Sequence, residues 1–368
     1  MFSLNQFDYL LPPERIAQHP VEPRDMCRLM TLNRETGEIR HHVFRDIVDL
    51  LRPNSVLVRN NTKVLPARLL GKKDTGGKCE ILLIHQLASP QPEMITRWEC
   101  LTKPGLKPNQ QVMLFDPNSD LLHFSANCSP ESDFTSYTRV VDFNCPEKDF
   151  YRKLLELGHT PLPPYISRAP KDEQTLRQIY QTTYAKLSGS VAAPTAGMHF
   201  TDELDQRIRD KGILILEVTL HVGIGTFLPV QDEQLAQKRL HQEYFELSPA
   251  TAEAINTAKT NGQNVVSVGT TTTRVLESNF RDGKLVASSG TTDLFIQPGD
   301  RYHIVDQLIT NFHLPKSSLL MLLSAFTSSP NTTHSFTNFA ASSAGRAYLA
   351  AVVDQYRFFS FGDAMFVY

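Results

Sequence analysis

The sequence predicts an α/β fold, a larger α/β layered domain (residues 1–58 and 151–368) interrupted by an inserted small all-β barrel domain at 59–150. Three observations predict it. Short strand-like runs crowd residues 55–145 with no helix-period segment among them, the texture of a small barrel or sandwich. After residue 147, strand-like and helix-like segments alternate, the pattern of an α/β layer. A length of 368 residues suits two domains at about 100–200 residues each.

The elements follow in order. Residues 3–20 read as an extended segment entering a turn, with Pro12 and Pro13 opening a short helix and Pro20 closing it. RLMTLNRETGEIRHHVF reads as a hairpin around Glu35-Thr36-Gly37, and FRDIVDLL as a short amphipathic helix stopped by Pro53. SVLVRNNTKVLPARLLGKK, KCEILLIHQL, RWECLTK, QVMLFD, DLLHFSANC and TSYTRVVDF supply the strands of the β region. KDFYRKLLELG returns to helical period and ends at Gly158 as a C-cap. Beyond it, strand-like ILILEVTLHVG and NVVSVGTTTT alternate with helix-like TDELDQRIRDKG, TAEAINTAKTNG and KSSLLMLLSAF. Residues 327–346, rich in Ser, Thr, Asn and Ala, read as a mobile loop.

Composition narrows the class. Hydrophobic residues at 41% and charged residues at 21% are a globular mix and exclude a largely disordered chain. A net charge of −2 excludes nucleic-acid binding through overall positive charge and leaves a local basic patch open. Five cysteines without a C-x-x-C pair argue against a disulfide framework or a cysteine zinc site and fit a reducing compartment. The opening MFSLNQFDYLLPPE has no basic stretch ahead of an apolar one, and the best apolar run, LLMLLSAF, is short of the ~20 residues that span a bilayer. A soluble, cytoplasmic protein is expected, with no membrane partner.

Five segments are polar where a core would hold aliphatics: SGSVAAPTAGMHFT, TLHVGIGTFLPV, VGTTTTRVLES, TNFHLPKSS and FFSFGDAM. Singly, each reads as a tight strand–helix turn; together they point to a ligand site, since Gly admits close backbone approach and Thr or Asn gives directional hydrogen bonds. Gly223-Ile224-Gly225 does not open a dinucleotide loop, because Thr226-Phe227-Leu228-Pro229 follows with no third glycine and no helix. VVSVG-TTTT-RVLES does read strand, glycine, turn and helix. It places Thr270 to Thr273 at a helix N-terminus suited to a carboxylate or phosphate, or simply capping it. His199, His221, His241 and His313 fall in or beside these segments and are acid–base candidates, or structural hydrogen-bonders. No H-E-x-x-H occurs, and no metal site is expected. Lys63, Arg68, Lys72 and Lys73 form a basic edge on the proposed barrel, either a solvated face or a phosphate-binding one.

In the strings DYLLPPERIAQHP, NNTKVLPARLLGKK, GHTPLPPYISR, YQTTYAKLSGSVAAPTAGMHFT, TLHVGIGTFLPV, VGTTTTRVLES, TNFHLPKSSLLMLLSAF and YRFFSFGDAMF the chain resembles the S-adenosylmethionine:tRNA ribosyltransferase-isomerases of queuosine biosynthesis. The strings run in order over nearly the whole chain. Arg59 and Asn61 depart from a stretch expected to read closer to L-N-D-T-K-V, and 327–346 is longer than the family's usual connection.

The resemblance implies transfer and isomerisation of the ribosyl moiety of S-adenosylmethionine onto 7-aminomethyl-7-deazaguanine at the tRNA wobble position. Epoxyqueuosine would form, with adenine and methionine released. It also implies an α/β domain carrying a β-barrel, no metal requirement, and S-adenosylmethionine consumed as the donor rather than held as a cofactor. The tRNA expected is one with a GUN-type anticodon, and the chain is expected to act as a monomer.

Residue chemistry, not the resemblance, nominates the site. His221, His199 and Asp363 are the candidates for proton transfer, in that order. Thr270, Thr271 and Arg274 are placed to receive the methionine carboxylate, and Thr195, Gly223, Gly225, Asn311 and His313 to line the same cleft. Lys63, Arg68 and Lys72 are assigned to tRNA, and Phe227 and Phe358 to stacking on a splayed base, with core packing as their alternative. Two competing readings remain: a methyltransferase, which would need a glycine loop opening a helix after the first strand, and a non-catalytic RNA-binding module, which would be more basic.

Overall fold

A computed structural model of the chain describes residues 2–115, 122–133, 137–168, 172–223, 225 and 230–368. Three short 3-10 turns (Leu4–Phe7, Pro13–Arg15 and Arg24–Met26) precede a hairpin, β1 (Arg28–Leu32) and β2 (Ile39–Val43), and the short helix α1 (Ile47–Leu50). The run SVLVRNNTKVLPARLLGKK, which looks like one strand-rich stretch, is divided among three sheets. β3 (Val56–Asn60) enters the large sheet, β4 (Thr62–Val64) a small ribbon, and β5 (Arg68–Lys73) the barrel. The barrel continues with β6 (Lys78–Leu87), β7 (Thr96–Lys103), β8 (Gln111–Phe115), β9 (Leu122–Cys128) and β10 (Thr138–Phe143). It closes in the order β10-β7-β6-β5-β8-β9, with every neighbouring pair antiparallel.

Alternation builds the barrel core. Leu69, Ile81, Leu83, Trp98, Val112, Leu114, Val141 and Phe143 point inward, and the buried thiols of Cys79, Cys100 and Cys128 pack among them as small hydrophobes. Helix α2 (Glu147–Leu157) lays Phe150, Leu154 and Leu157 on that core. Gly158 ends α2, but not as a left-handed cap: its ψ of 148° is extended, and a Cβ there would stand 2.0 Å from the Pro66 carbonyl oxygen. The glycine is needed because two chain crossings meet here. Arg68 and His159 exchange backbone bonds of 3.1 and 2.7 Å, joining the way into the barrel to the way out.

After α3 (Glu173–Ile179), β11 (Leu187–Ser190) pairs parallel with β4. There follow α4 (Asp202–Asp210), β12 (Leu214–Leu220), α5 (Asp232–Gln237), β13 (Arg239–Leu247), α6 (Pro249–Thr260), β14 (Val265–Val268) and α7 (Thr270–Ser278). A small hairpin, β15 (Phe280–Arg281) and β16 (Lys284–Leu285), precedes β17 (Ser288–Leu294), β18 (Gln307–Asn311), α8 (Ser318–Phe326), α9 (Ser343–Val353) and β19 (Ala364–Val367). Among the described residues the large sheet has nine strands, ordered β17-β13-β12-β3-β14-β18-β19-β1-β2. Its centre, β12-β3-β14-β18, is parallel.

These central strands read as apolar runs because both faces are covered. Val56, Val58, Val218, Leu220 and Leu308 face α6, α7 and α8; Leu57, Val266, Val268 and Ile309 face Phe44, Phe200, Leu204 and Ile208 on the other side. Among the described residues no helix is long and apolar enough to cross a membrane.

The segment 327–346 is not a mobile loop. Phe339 is fully buried, its N–H donates to the Gln6 carbonyl at 2.7 Å, and Phe336 stacks on Phe7 with centroids 5.0 Å apart. Asn331 ties the carbonyls of Asp300 and Ala325, and the last residues already belong to α9. Composition reads polarity, whereas two aromatics three residues apart, Phe336 and Phe339, suffice to anchor a strap. Phe339→Ala is expected to destabilise the protein by about 3–5 kcal/mol, the cost of emptying a buried aromatic site, measured by thermal or denaturant melting; an unshifted melt would mean the strap is not packed.

Candidate active site

In open α/β sheets, ligands bind in the crevice outside the carboxyl ends of the strands. Here β12, β3, β14 and β18 end at one edge, and they deliver His221 and Gly223, Asn60 to Thr62, Gly269 to Thr271, and Asn311 to His313 respectively. The start of β19 brings Asp363 to the same edge, since Ala364 pairs with Asn311. The turn of 3-10 helix Thr195–His199 lies beside it, with Ala196 facing Gly269. The polar segments of the sequence therefore converge.

Asn60, which the sequence reading passed over, organises the centre. Its Nδ2 donates to the Leu220 carbonyl at 2.9 Å and to Thr271 Oγ1 at 3.3 Å. Its Oδ1 accepts from the N–H groups of Leu220 (3.0 Å) and Thr62 (3.1 Å). A polar RNN run closing an apolar strand was the available signal. Gly269 caps α7 at φ 85°, a left-handed conformation that favours glycine. Thr272 and Thr273 turn back onto the carbonyls of Val268 and Gly269, as capping and back-bonding threonines do. The N–H groups of Thr270 to Thr272 have no backbone acceptor among the described residues.

The three proton-transfer candidates occupy different environments. His221 Nδ1 lies 2.7 Å from Thr62 Oγ1, the ring is partly exposed, and no described residue bonds Nε2. Burial lowers its pKa from the usual histidine value, which keeps the imidazole neutral at physiological pH. His199 is buried with both nitrogens engaged: Asn311 Nδ2 donates to Nε2 at 3.0 Å, and Nδ1 meets Cys27 Sγ at 3.1 Å. Burial, reinforced by Arg357 and Arg24, pushes its pKa down to about 3. Asp363 is 2% exposed and accepts the backbone N–H groups of Arg28 (3.0 Å) and Arg357 (2.8 Å), one on each oxygen. It splices the start of β1 to the 357–363 loop. On this geometry His199 and Asp363 hold the fold, and His221 alone of the three presents an open nitrogen to the crevice.

The binding candidates divide in the same way. Thr195 Oγ1 donates to Asn311 Oδ1 at 3.0 Å, so Asn311 links the Thr195–His199 turn to β18. His313 is buried, meets Thr310 Oγ1 at 2.8 Å through Nε2, and has its pKa lowered by burial to about 3. Arg274 does not offer an open fork to a carboxylate. It pairs with Glu243 and donates to the carbonyls of Leu294 (3.1 Å) and Thr292 (3.4 Å), while Glu243 also accepts the Gly223 N–H at 2.9 Å. Gly225 abuts the His241 ring. Phe358 is fully buried against Phe312 and Tyr348 and packs the core instead of stacking a base; Phe227 lies outside the described residues. Arg59 points to the opposite face, over the Tyr184 ring at 3.5 Å and onto Asp205 at 2.6 Å.

The basic edge is not one strand of the barrel. Lys63 is exposed on the β4–β11 ribbon, next to Thr62. Arg68 begins β5 and pairs with Glu80 at 2.8 Å, and Lys72 lies farther along β5 with its Nζ 5.2 Å from the Phe115 ring centroid.

A histidine held neutral in the fold binds its proton only after unfolding, so it adds nothing to pH dependence above about 6.5. Stability tied to it is lost as pH falls from about 6.5 towards 3, because the unfolded chain takes up the proton first. The ring resonances of His199 and His313 are expected to stay unshifted from pH 8 to 5 in an NMR titration, and His199→Gln to flatten part of the acid loss in melting temperature. A midpoint near 6.5 for either ring would overturn this.

Residues 4–367 match the family model described as queuosine biosynthesis protein. The S-adenosylmethionine:tRNA ribosyltransferase-isomerase of Desulforamulus reducens is 44% identical over 371 residues, covering 99% of both chains. The crystal structure of the S-adenosylmethionine tRNA ribosyltransferase of Thermotoga maritima covers 99% of this chain and 100% of its own, at 35% identity and a TM-score of 0.53. A match along the whole length, with that identity to a full-length relative, makes this chain a member of the queuosine biosynthesis protein family.

Proposed function

We propose that the chain is an S-adenosylmethionine:tRNA ribosyltransferase-isomerase. It moves the ribosyl moiety of S-adenosylmethionine onto 7-aminomethyl-7-deazaguanine at the wobble position, giving epoxyqueuosine, adenine and methionine. The full-length identity to a relative of that name carries the reading, and the convergence of the polar segments on one strand edge supports it. We assign to it tRNAs with a GUN-type anticodon, action as a monomer in the cytoplasm, and chemistry without a metal or a resident cofactor.

The chemistry fits the edge as follows. The sulfonium acidifies the neighbouring C5′ protons, and His221 Nε2 is the group assigned to take one, a step worth about 10²–10⁴-fold for a positioned base. The unbonded N–H groups opening α7 and the Thr270 and Thr271 side chains are assigned to the methionine carboxylate, which a helix N-terminus favours. Arg274 is left to set Glu243 and hence the Gly223 N–H. The aminomethyl group loses a proton before it attacks the ribosyl carbon, and adenine leaves as its ring nitrogen is protonated. Lys63, one residue from Thr62 on the exposed side of the ribbon, is assigned to a phosphate next to the splayed wobble nucleotide.

Mass spectrometry of digested tRNA should show epoxyqueuosine, with one adenine released, only when the wobble base already carries 7-aminomethyl-7-deazaguanine. Equal turnover on an ordinary guanine would refute the reaction, and S-adenosylhomocysteine in place of adenine would indicate a methyltransferase.

Lys63→Ala should raise the KM for tRNA while leaving that for S-adenosylmethionine unchanged. It should also reduce the log–log salt slope of tRNA binding by about 0.7, the contribution of one single-strand phosphate contact. A selective rise in the KM for S-adenosylmethionine would move Lys63 to the donor site.

A further inference from the structure

The chain around the His221 ring is built more closely than a chance contact requires. β4 and β11 run parallel, yet their register slips between Ser188 and Ser190, leaving Gly189 as a bulge; bulges are enriched beside active sites, where they re-aim a side chain. A Cβ on Gly189 would stand 2.6 Å from His221 Nε2, 2.7 Å from Cδ2 and 2.8 Å from Cε1. Near-equal distances to these three atoms put that point over the ring rather than in line with the Nε2 lone pair. The bulge therefore packs on the imidazole without covering its open nitrogen. The Tyr244 ring lies nearly parallel to it, 21° between planes and 5.6 Å between centroids, and the Tyr244 carbonyl accepts the His221 N–H at 2.8 Å.

Thr62 completes the arrangement. Its hydroxyl has one proton and two acceptors in reach: the Leu187 carbonyl at 3.5 Å, which can only accept, and His221 Nδ1 at 2.7 Å, which can do either. When the hydroxyl donates to Leu187, Nδ1 must carry the imidazole proton and give it to Thr62 Oγ1. That leaves the lone pair on Nε2. We propose that Thr62 and the Gly189 bulge are positioning residues for His221, fixing the tautomer in which Nε2 is the base and aiming it at the donor's C5′ carbon. The proposal rests on the reaction assigned above.

In the proton transfer, Nε2 accepts the C5′ proton, the C–H electron pair stays on carbon beside the sulfonium, and the imidazolium so formed donates through Nδ1 to Thr62. Tyr244 is the titratable group facing the ring from β13; β4 and β11 face it with Thr62, Leu187 and Gly189, which do not titrate. On the same strand, Glu243 is paired with Arg274.

Two measurements decide it. Histidine-labelled protein is examined by long-range ¹H–¹⁵N NMR above the His221 pKa, where the proposal requires the proton on Nδ1. A proton on Nε2 overturns it, whether or not the enzyme turns over. Adenine release from S-adenosylmethionine is then followed with tRNA carrying 7-aminomethyl-7-deazaguanine. Thr62→Val should lower kcat about 10- to 100-fold, part of what a positioned base contributes, with both KM values within a few-fold. It should also move the acid limb of the pH profile to lower pH, because the lost bond stabilised the imidazolium. Thr62→Ser should restore both. Gly189→Ala, which forces the ring aside, should cost less in the Thr62→Val background than alone. Wild-type kcat and acid limb in Thr62→Val, or equal impairment in Thr62→Ser, would overturn the positioning role. Wild-type protein that releases no adenine would instead sink the assigned reaction, while the NMR result still settles the tautomer.

Discussion

The carboxamide of Asn60 is the interaction on which the rest of the edge depends. A buried side-chain amide must have its donors and acceptor satisfied or it destabilises the fold. Asn60 meets that demand by joining four things: both backbone groups of Leu220, the N–H of Thr62, and the hydroxyl of Thr271. In doing so it stops β3, hands the chain to the β4 ribbon, sets the height at which β12 ends, and positions the first turn of α7. The crevice is thus defined from the middle of the parallel sheet, with its walls taken from strands that have no sequence proximity.

Around that centre, polar groups divide into those used up by the fold and those left open. Desolvation makes the division. His199, Asp363 and Arg274 are each at least nine-tenths buried, and each has its hydrogen-bonding groups engaged by the protein itself. A buried polar or charged group is tolerated when it is bonded or paired in this way, and that bonding is what makes it unavailable to a ligand. His221 and the first N–H groups of α7 lie where the sheet meets the crevice, and among the described residues they retain unbonded positions. The site is therefore small in reactive groups and large in supporting ones.

The barrel reaches this edge through the same ribbon. Leu65 N–H donates to the Ser190 carbonyl at 2.9 Å, and Val191 N–H to the Val222 carbonyl at 3.0 Å, so the entry into the barrel, the Gly189 bulge and the strand carrying His221 are hydrogen-bonded in series. The exit at Gly158 is pressed against Pro66 and held by Arg177, which donates to the Gly158 carbonyl at 2.6 Å. Residues that present Lys63 outward also present Thr62 inward, because successive strand residues alternate in direction. The exposed Lys63 on one side of β4 is thus one residue away from Thr62, which meets the imidazole on the other.

By itself the sequence determined the fold class and the location of the polar turns. Strand and helix periods record which side of a local segment is buried, and glycine before Thr270 records a backbone angle, so both are written in neighbouring residues. The hairpin at 28–43, the closed set of short strands, and the strand–glycine–helix passage at 265–278 were all legible in this way. Which histidine stays open was not. Cys27 and His199 are 172 residues apart, Asn311 and His199 112, and Thr62 and His221 159. No local pattern encodes whether a ring nitrogen finds such a partner. The same holds for Asn60, for Arg274 on Glu243, and for the Phe339 anchor that packs a polar segment. Hydrogen-bond satisfaction and burial of a single side chain are properties of the assembled sheet, and only the tertiary structure decided them.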